Sequence, residues 1–267
     1  MSAGGAATAG SRSFVAAHRR ALAMLLSVLV GLAVWQVAAT LVFHSILFPS
    51  ALESLAALAR EIAHGELGHD ILVTLGRVLA GFTLGSALGA SLGLVMGSFR
   101  PVRMLFAPAV NFFRFITPIA WVAPATIWFG IGETSKLFLV TYATLFVVLV
   151  NTLAGVQHIH RDRVRMARAF GASALEMFGL ITIPATLPFI ITGMRIGLGN
   201  SFMTVIGAEM LAGNNGLGYL IYSSRVFYRS DVMFAGIILL GLFGFAADRL
   251  FVMLRRVALA RYDHAQD

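Results

Sequence analysis

Ionisable side chains interrupt the long apolar stretches of this chain at four places: Arg114, Arg195, Glu209 and the neighbours Asp248 and Arg249. A charge at hydrocarbon depth is costly, so each marks either a solute pathway or an ion pair closed inside the protein. Arg114 lies one and two turns before Pro118 and Trp121. It either offers positive charge to a passing anion or snorkels to the lipid headgroups. Arg195 is expected to pair with a neighbour near the inner surface, and Asp248 with Arg249 to form a structural ion pair. Glu209 is placed toward the outer end of its span, as part of a gate or as a tie to a loop. Thr117, Trp121, Asn200, Ser201 and Thr204, on the spans that carry Arg114 and Glu209, are the neutral candidates for lining a path.

Other chemistries find little support. The chain contains 0 cysteines, which excludes a disulfide framework, a thiolate metal centre and a cysteine nucleophile. His44, His64, His69, His158 and His160 lack carboxylates at ligand spacing, so no metal site is expected. A phosphate-cradling GxxxxGK loop is absent, and Arg114, Glu209 and Asp248 are too scattered to act as an acid and base pair. The chain is therefore expected to be no enzyme, with no catalytic residue and no cofactor of its own.

The elements that position these residues follow from composition. Of 267 residues, 58% are hydrophobic and 12% charged, about half the charged share of a soluble domain. Such a chain is solvated by a bilayer. Its net charge of +8 then reports orientation, and nucleic acid is not an expected partner. A helix rising about 1.5 Å per residue needs roughly twenty apolar residues to cross about 30 Å of hydrocarbon. Six stretches qualify, at about 22–43, 78–99, 104–131, 137–157, 187–212 and 232–254. The first follows Arg12, His18, Arg19 and Arg20 and is too long for a signal peptide. The expectation is thus an all-α integral membrane protein: a disordered cytoplasmic tail at 1–20, a transmembrane domain at 21–258 and a cytoplasmic tail at 259–267. Arginines crowd the segments assigned inside, whereas the outer loops hold only Arg60, Lys136, Arg225 and Arg229, so both termini are expected in the cytoplasm.

Three local patterns refine this plan. Leu52, Leu55, Leu58 and Ile62 recur at helical spacing within Ala51–His64, an amphipathic helix in the first outer loop. Gly81, Gly85, Gly89, Gly93 and Gly97 recur every fourth residue, so one face of the second span admits a neighbouring backbone closely. Pro108, Pro118 and Pro124 in the third span, and Pro184 and Pro188 at the fifth, either flank a pathway or kink the helices.

One sizeable inner loop remains, 159–183. Arg161, Arg163, Arg165 and Arg168 load its first half, and Phe170, Leu175 and Phe178 place apolar side chains on both sides of Gly171. Glycine followed by Ala172 and Ser173 reads as a helix end and a fresh N-cap, so two short helices meet at a turn. Apolar residues on a protruding helix seek a groove in a partner, or lie on lipid headgroups.

The spacing in this loop resembles the signature of ATP-binding-cassette importer permeases: EAA, three residues, Gly, nine residues, Ile, any residue, Leu-Pro. Ala167, Gly171, Ile181 and Pro184 match, whereas Arg165, Met166 and Ile183 depart from it. Stretches at 77–97, 128–140, 151–156, 167–173, 192–199, 208–211 and 216–221 are similar to permeases of the nitrate, sulfonate and taurine type. That resemblance implies the type I importer permease fold, multi-pass in a bacterial inner membrane. It also implies a second copy of the chain, two cytoplasmic ATPase subunits that bind ATP and Mg, a periplasmic or lipid-anchored substrate-binding protein, and alternating access. Ala167, Arg168, Phe170, Gly171, Ala172, Ser173, Leu175 and Glu176 would form the coupling surface for the ATPase. The cargo would be a small anion such as nitrate, bicarbonate, a sulfonate or taurine, or alternatively an aromatic acid or pyrimidine precursor. A secondary transporter independent of ATP is the competing class, and it would leave the loop unexplained.

Overall fold

The computed structural model describes residues 26–263 except His44 and Ile46. The expected tail at 1–20, the first residues of the first span and residues 264–267 lie outside the described residues. Every regular element among those described is helical. In order they are α1 (Leu26–Val42, its end π-helical over Ala38–Phe43), α2 (Ala51–His64), α3 (Glu66–Ser98), α4 (Arg100–Phe113), a 3-10 turn (Pro118–Trp121) and α5 (Val122–Phe129). There follow α6 (Glu133–Gln157), α7 (Arg161–Ala169), α8 (Ala174–Met177), a π-helical stretch (Phe178–Thr182), α9 (Ile183–Ala212), α10 (Leu217–Val226) and α11 (Ser230–Asp263).

Four helices among the described residues are long and apolar enough to cross a membrane: Leu67–Ser98, Glu133–Gln157, Ala174–Ala212 and Ser230–Arg255. A bent pair brings the number to five where it is counted as one span, and α1 falls short of a full crossing within the described residues. The single helix expected over 104–131 is therefore corrected. Its two halves, Arg100–Phe113 and Pro118–Phe129, meet at 89°. Pro118 explains the break: its ring has no N–H to donate, and it forces Thr117 out of helical geometry to φ −63°, ψ 140°. The last helix also runs beyond the expected boundary at 254, to Asp263.

The centre of the bundle is α3 against α6 and α6 against α9, the two most extensive helix pairings. The fourfold glycine spacing is what brings α3 and α6 together. A Cβ at Gly81 would fall 2.6 Å from Val140 Cβ, at Gly85 2.6 Å from Thr144 Cβ, at Gly89 2.5 Å from the Leu145 carbonyl oxygen, and at Gly93 2.6 Å from Thr152 Cβ. Side chains of α6 fill the places where α3 side chains would stand, so the association rests on close van der Waals contact where lipid offers no hydrophobic gain. Gly155 on α6 and Gly193 on α9 repeat the device between those two helices, with a hypothetical Cβ 2.6 Å from Phe189 and 2.8 Å from Asn151 respectively.

The expected amphipathic helix is α2. Ser50 and Glu53 form a reciprocal capping box at its start, and Gly65 in left-handed geometry ends it. Its small face, centred on the fully buried Ala57, packs on Val232 and Ala235 of α11. Arg60 pairs with Asp231 at 2.8 Å and Arg229 with Glu61, so α2 is pinned to α11. By contrast α4 buries no side chain, and α5 buries only Val122 and Ala125, against Leu139 and Ala208.

Candidate functional site

Three places in the bundle hold the candidate residues. The first is the break between α4 and α5. A cavity of about 220 Å³ there is lined by Thr117, Pro118, Ile119, Ala143, Asn200, Met203 and Thr204. Thr117, Asn200 and Thr204 are thus brought together by the 3-10 turn on one side and α9 on the other. The lining carries hydroxyl and amide dipoles and no formal charge, a setting that can hold a small polar solute without trapping it.

The remaining pathway candidates lie elsewhere. Trp121 sits among aromatic rings, with Trp128 and Tyr142 each at 5.8 Å and Phe113 at 6.2 Å between centroids. Tyr142 donates its hydroxyl hydrogen to the Phe113 carbonyl at 2.6 Å, which fastens the end of α4 to α6. Arg114 is exposed and stacks on Phe115, 4.8 Å from the ring centroid. Ser201 is fully buried, bonded to Thr144 at 2.8 Å and donating to the Gly197 carbonyl, so it joins α6 to α9 and does not line the cavity. Arg195 pairs with Asp248, at 2.7 and 2.9 Å, across α9 and α11. The expected partner of Asp248 is corrected accordingly: Arg249, adjacent in sequence, points around the helix and stacks over Phe245 at 4.7 Å.

Glu209 belongs to the second place, a polar hub where the ends of α3, α6, α9 and α10 meet. Its carboxylate is fully buried. It accepts from Thr74 Oγ1 at 2.9 Å, Arg77 Nη1 at 2.7 Å and the Gly218 amide at 2.8 Å. Arg77 completes the hub. Its Nε donates to Glu133 Oε2 at 2.6 Å, Nη1 also to the Asn215 carbonyl at 3.0 Å, and Nη2 to Asn215 Oδ1 at 2.6 Å and to Glu133 Oε1. All five guanidinium hydrogens are thereby used. Asp70, Thr74 and Arg77 share one face of α3 at spacings of four and three. Asp70 accepts from the Gly216 amide at 2.6 Å and Thr74 from the Leu217 amide at 2.9 Å. With Gly218 donating to Glu209, three successive amides at the start of α10 are each met by a side-chain oxygen. Gly216 has φ +104°, and a Cβ there would fall 2.5 Å from the Glu209 carboxyl carbon, so glycine is needed twice over.

Arg77, Glu133 and Asn215 were not singled out by the sequence reading. Polar positions at 70, 74 and 77 and the glycines of 213–218 are the available signal, but the partners of those three polar positions lie 56 to 146 residues away.

The third place is the loop at the other end of α6 and α9. Here the turn expected at Gly171 is present, with φ +81°. Ala172 donates to the Ala167 carbonyl and Gly171 to the Arg168 carbonyl, each at 3.0 Å, the double bond pattern that closes a helix through a left-handed residue. Ser173 then starts α8 with a second capping box, its amide donating to Glu176 at 2.8 Å. The backbone is thus held while its apolar side chains are not covered: Phe170 is 91% exposed and Leu175 81%. Ala167, Arg168, Phe170, Gly171, Ala172, Ser173, Leu175 and Glu176 all fall on this one protrusion. Arg165, standing where the resemblance has an acid, lies 3.5 Å from Asp162. Of the histidines, His158 stacks on Phe189 at 5.4 Å and His160 caps α7.

This bundle is that of a type I ABC transporter permease. It superposes on a chain of the MetNI methionine ABC transporter, solved in inward-facing conformations, with a TM-score of 0.63 over 72% of this chain and 98% of that one, at 20% sequence identity. The chain belongs to the family described as "Binding-protein-dependent transport system inner membrane component", which matches residues 71–257. It is an importer permease of the inner membrane. Among its relatives, the putative aliphatic sulfonates transport permease protein SsuC of Escherichia coli (strain K12) is 36% identical over 228 residues, 85% of this chain and 87% of that one. The taurine transport system permease protein TauC of the same organism is 34% identical over 223 residues, 81% of each chain. The bicarbonate transport system permease protein CmpB of Synechococcus elongatus is 32% identical over 187 residues, 69% of this chain and 67% of that one.

Proposed function

We propose that this chain moves a small anion of the taurine, sulfonate, bicarbonate or nitrate class inward by alternating access, driven by a separate ATPase that binds the ATP and Mg. Six membrane crossings, with α1 as the first and both termini in the cytoplasm, make up the working subunit. Two copies assemble, each with one ATPase subunit on its cytoplasmic side and a shared substrate-binding protein outside. The apolar side chains of α4, α5 and the break between them, among them Phe112, Phe115 and Ile127, are exposed in the single chain and offer surface for the second copy.

The observation that carries this reading is the loop at Gly171. A backbone closed by two caps presents Phe170 and Leu175 to water, and the cost of leaving those rings and methyls exposed is relieved only when a partner's groove covers them. Ala167, Arg168, Ala172, Ser173 and Glu176 form the rest of that contact, and closure of the ATPase pair presses on the loop as a lever. Thr117, Asn200 and Thr204 line the solute path, Trp121 and Arg114 border it, and Glu209 and Ser201 hold the helices that frame it. Cargo names come from the relatives, TauC, SsuC and CmpB.

Purification of the chain from its native membrane, followed by identification of copurifying proteins and an ATPase assay, tests the proposal. A nucleotide-binding subunit should be recovered with the chain and lost on Phe170→Asp, a substitution at an exposed site. Solute movement in liposomes by the chain alone, without ATP, would replace the reading with a secondary transporter.

A further inference from the structure

The hub has two halves of different character. On the inner side, Arg77 and Glu209 are almost wholly covered, with side chains 4% and 0% exposed. On the outer side, the same guanidinium holds Glu133, whose side chain is 65% exposed. Glu133 opens α6 directly after Gly130, Ile131 and Gly132, the link from α5. Gly130 has φ +78°, and the space where a Cβ would stand is open at both glycines. The glycine seam between α3 and α6 begins at Val140, two turns further along. The first turn of α6 buries Ser135 and Lys136, and Glu133 is its exposed member, tied to Arg77 of α3 and 3.7 Å from the buried Lys136. With Glu133 removed, Arg77 and Lys136 would face each other as like charges with Glu209 alone between them.

We propose that Arg77 and Glu133 form the releasable half of a latch, with Arg77 and Glu209 its fixed half, and that this latch positions α5 and the cavity at its far end. Closed, it sets the place of the glycine link and hence the angle at which α5 approaches Thr117 and Asn200. Open, it frees the Gly130 end of α5, whose remaining hold is Val122 and Ala125 packed with Leu139 and Ala208, while α3, α9 and α10 stay joined through Glu209. Both glutamates are positioning residues, and neither touches the solute. The role of the latch in transport rests on the function proposed above, whereas its mechanics do not.

Hydrogen exchange of the membrane-embedded chain in nanodiscs, comparing wild type with Glu133→Gln, reads the mechanics without any partner. Amides of 122–136 should exchange about tenfold faster, the factor expected for losing a charge-assisted hydrogen bond, with those of α3 and α9 unchanged. Glu133→Asp should restore part of the protection. An unchanged 122–136 segment, or an equal rise across α3 and α9, would overturn the latch. In proteoliposomes with ATPase and binding protein, Glu133→Gln should raise ATP hydrolysis in the absence of loaded binding protein at least threefold relative to the stimulated rate. Localised exchange with no such rise would confine the latch to a structural tie and overturn its part in transport.

Discussion

The two ends of the α6–α9 pair solve opposite problems with similar parts. At the hub, charged and polar groups are drawn inside and every donor of Arg77 is met, so the end is complete in one chain. At the Gly171 loop, apolar groups are put outside and only the backbone is satisfied. Both rely on helix caps and on glycines with positive φ. The difference teaches that burial of an ion and exposure of a ring are each unfavourable alone. The first is compensated within the fold, the second, in the function proposed, by a partner.

The sharpest way to break this contrast is to strip the hub of its anion. Glu209→Ala leaves Arg77 buried with one of its two carboxylate partners gone, and a loss of about 3–5 kcal/mol is expected. Thermal unfolding in detergent should show it as a sharply lowered Tm, and an unaltered Tm would mean the hub does not hold the fold. The matching change at the loop is Phe170→Ala with Leu175→Ala. Association with the ATPase should weaken by about 2 kcal/mol or more, the size of an interface anchor, with Tm unmoved in the isolated chain. Gly171→Val comes next, since a β-branched residue at φ +81° stores about 1–3 kcal/mol of strain. It should loosen the loop, visible as faster proteolysis between Ala167 and Ser173, without disturbing α10. The smallest effect is expected at Arg60→Gln, whose exposed pairing with Asp231 is worth under about 1 kcal/mol. A larger loss there would show that pinning α2 matters as much as the buried hub.

How far each end could be read from sequence follows from how local its parts are. Gly171 and Ser173 lie within one loop, so the turn and the second cap were legible, as was the glycine spacing of α3. The break at Pro118 was visible as a proline but not as a right angle, because the angle is set by how α5 packs on Leu139 and Ala208. The hub was invisible for a different reason. Arg77 stands one residue before an apolar run and Glu133 four before another, so both read as flanking charges. Only folding shows that they face each other with Glu209. Arg195 illustrates the intermediate case: its need for a partner was evident, and the partner was Asp248.

The glycine seam also bears on how the chain is made. Between α3 and α6 in sequence lie the bent pair α4–α5 and the Gly130–Gly132 link, so α3 must enter the bilayer and wait while those segments are synthesised. During that interval its row of five glycines is without the α6 side chains that fill it in the folded chain. The seam zips only after Val140 through Val156 has left the ribosome, and at that moment Arg77 first meets Glu133. Its other anion, Glu209, arrives still later, with the end of α9. Insertion therefore brings the two carboxylates to Arg77 in order, Glu133 with α6 and Glu209 with the end of α9.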